Sequence, residues 1–256
     1  MLVLCYGITK SGSTLAFELV KGILESVGHR QTRLPDVLVT PDHSVNFVQQ
    51  IDRDKLEPLL EVATDRWIAV KTHARLRDPV FPYLEELQSQ RRVQVVASYR
   101  DPREICLSLI DAGDHARSRG RKAFSEFAQL EDAVPAVLRQ IENFRRWGAL
   151  NGTLRLGYDR VAFAPDEAID RIERSLGIRC DHEHAKQHAF AEAFTQKNKA
   201  QRQRAKEELS EEQYARLTEI FSDFIQSICE ADDETWFSTL REQILTKVVK
   251  RRAHRR

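Results

Sequence analysis

The sequence has 256 residues, which suits one domain or one domain with a helical extension. Hydrophobic residues reach 41%, enough for a sizeable core, and the formal net charge of +1 excludes a general nucleic-acid binder, because such proteins carry a basic excess. No apolar run approaches the roughly 20 residues that a membrane helix needs, and the apolar start at 1–6 is too short for a signal peptide. The four cysteines are far apart, so we expect reduced thiols and a cytoplasmic protein.

Strands and helices alternate along most of the chain. Strands are expected where apolar residues run almost continuously, at 2–7, 36–40, 67–71, 92–99 and 153–158. Helices are expected from apolar periodicity and end signals, at 13–27, 55–63, 79–90, from 101 onward, 119–150 with a break near Pro135, and 165–176. This alternation predicts a single α/β domain over 1–256: a three-layer sandwich with a central parallel sheet in 1–180 and a mostly helical C-terminal extension in 181–256.

The first strand leads into a loop that is typical of phosphate binding. Residues 7–14 read GITKSGST and nearly fit the triphosphate-loop motif, but Ser13 stands where that motif has lysine, and the lysine lies inside the loop as Lys10. Backbone N–H groups and hydroxyls at a helix start can hold a phosphate. The candidate ligands are Lys10, Ser11, Gly12, Ser13 and Thr14. An ordinary strand–helix turn with a capping serine is the alternative, and the loop alone does not decide between them.

A second basic position follows the strand at 92–99. Arg100 comes directly after it, Asp101 and Pro102 then start a helix, and Ser108 lies about two turns along that helix. An arginine fork and a hydroxyl suit a phosphate, whereas a triphosphate hydrolase needs a nearby Asp for magnesium. Two phosphate sites without a metal carboxylate favour a nucleotide with separate phosphates. The alternative is a surface ion pair of Arg100 with Asp101 or Glu104.

Four segments in this order resemble the motifs of sulfotransferases of the cytosolic type, which use 3′-phosphoadenosine 5′-phosphosulfate (PAPS). Residues 6–14 (YGITKSGST) resemble the 5′-phosphosulfate loop, and 71–73 (KTH) match the stretch with the catalytic histidine. Residues 99–104 (YRDPRE) with Ser108 resemble the 3′-phosphate motif, and 158–159 (YD) resemble the segment beside the adenine. The resemblance covers residues 2 to about 178.

The resemblance has departures. Thr9 replaces the loop proline, and Leu15 replaces the tryptophan that often stacks on adenine. The C-terminal lid over the cofactor is not recognisable. Lys199 and Arg202 stand near its expected place, but a solvated basic helix face is the alternative and is slightly favoured.

The resemblance implies transfer of a sulfuryl group from PAPS to a hydroxyl or amine, with PAP as the second product and no metal. His73 is then the general base, since a neutral imidazole can take a proton near pH 7. Lys10 would neutralise the leaving oxygen, Lys71 could contact the sulfonate, and Tyr158 would lie near the adenine. The implied acceptor is a small molecule, a glycan or a lipid, with no nucleic acid and no stable membrane insertion, and the oligomeric state stays open.

Two other functions are compatible with parts of the sequence. A P-loop kinase of small molecules is disfavoured by Ser13 and Arg100, and a non-catalytic nucleotide-binding module by Lys10 and His73. The stretches 29–66 and 111–135 carry no motif for the acceptor, and 111–122 is expected to be a charged loop. A metal site at His182, His184 and His188 is disfavoured because no cysteine pair or carboxylate partner is evident.

Overall fold

The computed structural model describes residues 1–41, 43–193, 201–230 and 234–253. Within these residues, parallel strands form one sheet in the order β2-β3-β1-β4-β5. Its strands are β1 (Leu2–Gly7), β2 (Phe47–Val48), β3 (Ile68–Thr72), β4 (Val93–Tyr99) and β5 (Leu154–Gly157). The central strands are buried along their length, as expected for apolar strands covered on both faces.

Helices account for most of the remaining chain. Those that precede residue 180 are α1 (Ser13–Ser26), α2 (Arg53–Val62), α3 (Phe81–Ser89), α4 (Pro102–Ser118), α5 (Leu130–Gly148), α6 (Tyr158–Phe163) and α7 (Pro165–Leu176). Those that follow are α8 (His182–Gln187), α9 (Arg204–Glu208), α10 (Glu211–Ile220), α11 (Ser222–Phe224) and α12 (Glu234–Ala253), with π-helical turns at His188–Glu192 and Ile225–Glu230. No helix in the described part of the chain is both long enough and apolar enough to cross a membrane.

Two apolar clusters cover the two faces of the sheet. One contains Tyr6, Phe144 and Trp147, and the other contains Phe17 and Ile169 from α1 and α7. The predicted three-layer α/β sandwich is therefore confirmed.

The strand order places a topological switch point at the carboxyl end of the central strands, where open α/β sheets form a binding crevice. Strands β2 and β3 lie on one side of β1, and the later strands β4 and β5 lie on its other side. The chain segments that follow β1, β3 and β4 therefore lead away from one another. The register aligns Tyr6 with Thr72 and Gly7 with Ser98, so these three strands end at the same level. Open α/β sheets bind their ligands at such a switch point.

The strand expected at 36–40 is wrong. The Pro35 carbonyl accepts hydrogen bonds from the backbone N–H groups of Leu38 and Val39, which makes a turn. The edge strand lies later, at β2. Apolar residues such as Val39 are buried here by packing below a turn, so their pattern imitates a strand.

Two expectations about residues 111–150 are also wrong. Residues 111–122 were expected to form a charged loop, but α4 continues through them as far as Ser118. Basic residues, His115 and Arg117, lie in its last turn, where positive charge stabilises a helix. The helix expected from 119 begins only at Leu130, after a capping box between Gln129 and Asp132. Pro135 lies inside α5 and does not break it.

Candidate active site

The loop after β1 has a strained backbone that aims helix α1 at the crevice. Lys10 and Gly12 both have left-handed backbones, with φ of 69° and 75°. A Cβ on Gly12 would lie 2.5 Å from the Tyr158 ring, so only glycine fits there. Helix α1 begins without a side-chain cap and without an acidic residue in its first turn. Its first N–H groups therefore suit an anion.

The loop hydroxyls divide between the sheet and the crevice. Ser11 is 1% exposed, and its Oγ lies 3.4 Å from both the carbonyl oxygen and the Oγ of Ser98. Ser13 is buried beside it. The Thr14 hydroxyl accepts a hydrogen bond of 2.7 Å from Lys71 Nζ. The loop is thus joined to the ends of both neighbouring strands.

Lys71 is a buried cation beside the loop. It is 5% exposed, and burial lowers its pKa to about 8, although the charge of Glu18 opposes this shift. No carboxylate in the described ranges forms an ion pair with it. An anion that reaches Lys71 would therefore strengthen its charged form.

His73 is held in one tautomer by the end of β1. Its Nδ1 lies 2.6 Å from the Gly7 carbonyl oxygen, which can only accept, so Nδ1 carries the proton. Burial and the charge of Lys71 lower the pKa of His73 to about 4. The ring is therefore neutral at pH 7, and Nε2 is its proton acceptor.

Lys10 points its ammonium group over an aromatic ring from the segment between α4 and α5. Its Nζ lies 5.7 Å from the centre of the Phe124 ring, which is a cation–π distance. Burial lowers the pKa of Lys10, the charge of Asp111 raises it, and the charge of Arg100 lowers it. Lys10 therefore lies within electrostatic reach of Asp111 in α4 and of Arg100 just before that helix.

Arg100 is paired, but not at the surface. Its Nη2 donates to Glu104 Oε2 at 3.0 Å, with both side chains at most one-tenth exposed, and its guanidinium lies 4.2 Å from the centre of the Tyr158 ring. Its Nε is buried without a hydrogen-bond partner among the described residues. Ser108 is buried further along α4. One arginine donor is therefore left for a ligand at this strand end.

Aromatic rings continue from Arg100 toward the C-terminal part of the chain. Tyr158 and Phe163 meet edge to face with ring centres 5.9 Å apart, and Arg202 lies 4.6 Å from the centre of the Phe163 ring. Arg202 thus contacts the site through Phe163, although its side chain is exposed. Lys199, the other lid candidate, falls outside the described residues.

Arg204 and Glu104 make buried contacts near Arg100 that the sequence did not reveal. Arg204 is 3% exposed and binds Asp111 through two nitrogens, at 2.5 and 2.9 Å, and Glu208 through two more contacts. Glu104 accepts a hydrogen bond of 2.8 Å from the Ala205 N–H as well as the contact from Arg100. Spacing of four residues hinted at the Arg100–Glu104 pair, whereas nothing local marks Arg204 among its basic neighbours.

The histidines at which the sequence disfavours a metal site do have carboxylates beside them, but His182 and His188 lie against different ones. His182 lies near the carboxylates of Asp166 and Glu173, and its ring, Glu173 and Cys180 offer ligand atoms within 4.8 Å of one another. Glu173 is already bound by Arg179 and by the Cys180 N–H, which favours a structural role. His188 instead contacts Glu18 and Glu25 on α1.

The fold and these residues define a class of protein. A parallel sheet presents a cationic loop, a neutral histidine and a strand-end arginine at one switch point, which suits an enzyme that binds a nucleotide with separate anionic groups.

Comparison with protein families matches residues 2–248 to the sulfotransferase domain. The chain therefore belongs to the sulfotransferase family, and the predicted class, a PAPS-dependent sulfotransferase, is confirmed. The acceptor is unidentified.

Two solved structures resemble this fold. The mouse sulfotransferase SULT7A1 complexed with PAP has a TM-score of 0.50 and 15% identity, covering 94% of this chain and 88% of that one. Retinol dehydratase in complex with androsterone and the inactive cofactor PAP has a TM-score of 0.49 and 15% identity, covering 88% of this chain and 80% of that one. No curated protein matches the sequence.

Proposed function

We propose that this sulfotransferase uses His73 as the general base that activates a hydroxyl or amine of a small acceptor. The observation that carries the proposal is the hydrogen bond of His73 Nδ1 to the Gly7 carbonyl. It fixes the neutral tautomer with Nε2 as the acceptor, beside the phosphate loop at the sheet edge. A general base must be unprotonated and must lie next to the reacting group, and His73 meets the first condition at pH 7.

The 5′ end of PAPS is assigned to the loop after β1. The uncapped start of α1 offers N–H groups at Gly12, Ser13 and Thr14, and Lys71 bonds to the Thr14 hydroxyl from the neighbouring strand. We assign the phosphosulfate to these groups. Ser11 supports the loop through Ser98 and has a smaller share in binding.

The 3′-phosphate is assigned to Arg100 and Ser108. The unpartnered Nε of Arg100 fits an anionic oxygen, because a buried N–H without an acceptor is costly. Glu104 holds the other side of the guanidinium and so orients it. We place the adenine beside the rings of Tyr158 and Phe163, with Arg202 at their outer end. These rings would replace the tryptophan that is missing because Leu15 stands in its place.

During transfer, a bond forms between the acceptor atom and sulfur while the bond from sulfur to the 5′-phosphate oxygen breaks. His73 Nε2 takes the proton of the acceptor, and Lys10 neutralises the charge that develops on the leaving oxygen. Positioning and charge stabilisation dominate such transfers. The negative sulfonate would also raise the pKa of His73 toward 7, because a nearby anion stabilises the protonated, charged form of the imidazole.

The acceptor is assigned to the side of His73 that carries aromatic residues. Phe47 lies 5.6 Å from His73 and stacks on His43 at 4.4 Å between ring centres, while Phe124 lies beside Lys10. Such walls fit an apolar or aromatic small molecule. We also propose a cytoplasmic location, which the four free cysteines support.

A thermal-shift comparison of PAP, ADP and ATP with magnesium tests the nucleotide assignment. We expect PAP to raise the unfolding temperature most, without added metal, because a ligand that binds only the folded state stabilises it by mass action. Turnover with PAPS and a panel of phenols, alcohols and amines then tests the acceptor assignment. Stabilisation by ATP with magnesium but not by PAP would contradict the assignment and favour a kinase.

A further inference from the structure

Helix α1 carries a buried carboxylate to which the transfer mechanism gives no role. Glu18 is 3% exposed and lies one helical turn after Thr14, so the two side chains share one face of α1. An ionised carboxylate is costly to bury unless neighbouring groups stabilise its charge. A charge at this position therefore points to a task that an apolar side chain could not perform.

Two neighbouring side chains hold the Glu18 carboxylate. Its Oε2 accepts a hydrogen bond from Lys21 Nζ at 2.8 Å and lies 3.1 Å from Nε2 of His188, in the π-helical turn after α8. The other ring nitrogen of His188 faces a second carboxylate, Glu25, at 3.3 Å. Burial alone would raise the pKa of Glu18, but the hydrogen bonds and charges of His188 and Lys21 lower it. Glu18 is therefore negatively charged at neutral pH.

The face of α1 that carries Glu18 also contacts Lys71. The Thr14 hydroxyl accepts a hydrogen bond of 2.7 Å from Lys71 Nζ, and side chains four residues apart on a helix are neighbours. Lys71 forms no ion pair with Glu18, whose partners are Lys21 and His188. The carboxylate thus acts on Lys71 through space, and the ammonium group stays open to a ligand. Such an interaction is weakly screened in a buried site.

The other titratable groups that the described structure places near Lys71 carry no negative charge at neutral pH. They are Cys5 opposite it in β1, Lys10 in the loop, and His43 and His73 near the strand ends. Burial raises the pKa of the Cys5 thiol far above its usual range, so the thiol is neutral. Burial also lowers the pKa of Lys71 to about 8, and the charge of Glu18 opposes this shift.

We propose that Glu18 is a positioning residue that keeps Lys71 positively charged, so that Lys71 can hold the sulfonate end of PAPS. The proposal rests on the assignment of the phosphosulfate to Lys71 made above. A carboxylate in direct contact would compete with the sulfonate for the ammonium group, whereas Glu18 supports the charge from one helical turn away. His188 links this carboxylate to the C-terminal part of the chain.

The titration of Lys71 in the protein without nucleotide tests the proposal independently of any activity. Lysine labelled with ¹³C at Cε reports each ammonium group by NMR, and Lys71→Arg identifies the Lys71 signal by its loss. Glu18→Gln removes the charge and keeps the shape, and Glu18→Met removes the charge without leaving a polar group to satisfy. Glu18→Asp retains the charge. Glu25→Gln is the matched control, because it removes the other carboxylate that contacts His188.

We expect the titration midpoint of Lys71 to fall by about one pH unit in Glu18→Gln and Glu18→Met, and to stay near its original value in Glu18→Asp and Glu25→Gln. A merely structural role of Glu18 would change the unfolding temperature and leave this midpoint unmoved. An unchanged midpoint in either folded neutral variant, or an equal fall in Glu25→Gln, would overturn the proposal.

PAP affinity at two pH values shows whether the charge matters for binding. A midpoint lower by one unit leaves less charged Lys71 at pH 8.5 but hardly changes it at pH 6.5. The ratio of the affinity at pH 6.5 to that at pH 8.5 should therefore rise about sixfold in Glu18→Gln. An unchanged ratio beside a lowered midpoint would overturn the role of Glu18 in binding. Failure of PAP to bind the unmodified protein would instead contradict the proposed function, and the midpoint of Lys71 would still decide whether Glu18 sets its charge.

Discussion

The two ends of the proposed PAPS site are built from cations in opposite ways. The transfer cluster, defined as Lys10, Lys71 and His73, consists of partly or fully buried groups whose pKa values are lowered by burial. No ion pair to a carboxylate is formed by its lysines among the described residues. The arginine network, defined as Arg100 and Arg204 with their acidic partners, is instead ion-paired: Arg100 with Glu104, and Arg204 with Asp111 and Glu208.

We propose that this difference separates chemistry from binding. A desolvated cation without a partner responds strongly to charge that develops nearby, as on a leaving oxygen. A paired arginine is already oriented and gains less from a change in charge, but it fixes the position of a phosphate. We therefore expect substitutions in the transfer cluster to reduce turnover, and substitutions in the arginine network to reduce affinity.

The largest effect is expected for His73→Asn. Loss of the base should lower turnover by about 100- to 10,000-fold while the affinity for PAP changes little. Single-turnover kinetics with saturating PAPS measures the first quantity and calorimetry the second. His184→Asn, at an exposed position of α8, is the control. Near-normal turnover of His73→Asn would remove His73 from the transfer cluster.

Lys10→Ala should also act on turnover more than on affinity. Removal of one group that stabilises charge in the transition state typically costs about 100- to 1,000-fold in kcat. The comparison of kcat at saturation with the affinity for PAP separates the two effects. Lys55→Ala is a control on an exposed part of α2. Equal losses of affinity and kcat/KM, with kcat unchanged, would make Lys10 a phosphate anchor and erase the contrast between the two ends.

Arg100→Ala should show the reverse pattern. Loss of a charged hydrogen-bond partner of the 3′-phosphate should cost on the order of 2–4 kcal/mol in PAP affinity. Calorimetry on Arg92→Ala, the exposed arginine before β4, gives the matched control. Unchanged PAP affinity in Arg100→Ala would refute the assignment of the 3′-phosphate.

Ser108→Ala tests the same end with a smaller expected effect. A neutral hydroxyl should contribute about 1 kcal/mol to PAP affinity. An effect as large as that of Arg100→Ala, measured in the same titration, would show that the buried helix α4 is disturbed, and the unfolding temperature would then fall as well.

The smallest expected effect is the uptake of a fraction of a proton by Lys71 when PAP binds, which tests whether the transfer cluster responds to added negative charge. Lys71 has a pKa near 8 in the free protein, and an anion raises it, so PAP binding at pH 8 should take up about half a proton. Calorimetry in buffers with different ionisation enthalpies measures this uptake. Lys71→Arg should abolish it because arginine stays charged. Uptake that persists in Lys71→Arg would assign the proton to another group.

The residues near the sheet edge were predictable because their signals are local. Consecutive residues determine the strand 2–7, the loop through Gly12 and the helix start at Asp101. The hydrogen bond from the Arg103 N–H to the Asp101 side chain confirms that helix start. The burial that sets the pKa of His73 and the contact of Arg204 with Asp111 join residues far apart in the chain. The spacing of residues along the sequence does not indicate contacts between such distant positions.

The short edge strand shows a related limit. Phe47–Val48 forms only two residues of ladder, and its position depends on Asn46, whose carbonyl accepts from the Lys71 N–H. A two-residue strand has too little sequence to produce an alternating pattern.

The bond from the Ala205 N–H to Glu104 bears on how the protein is made. All strands of the sheet have been synthesised once residue 157 is added, yet the partner that holds Glu104, and through it Arg100, is added only at residue 205. On the ribosome, the nascent chain can thus assemble its sheet and phosphate loop well before the arginine is fixed. Nucleotide capture is expected late in translation, when most of the chain has emerged.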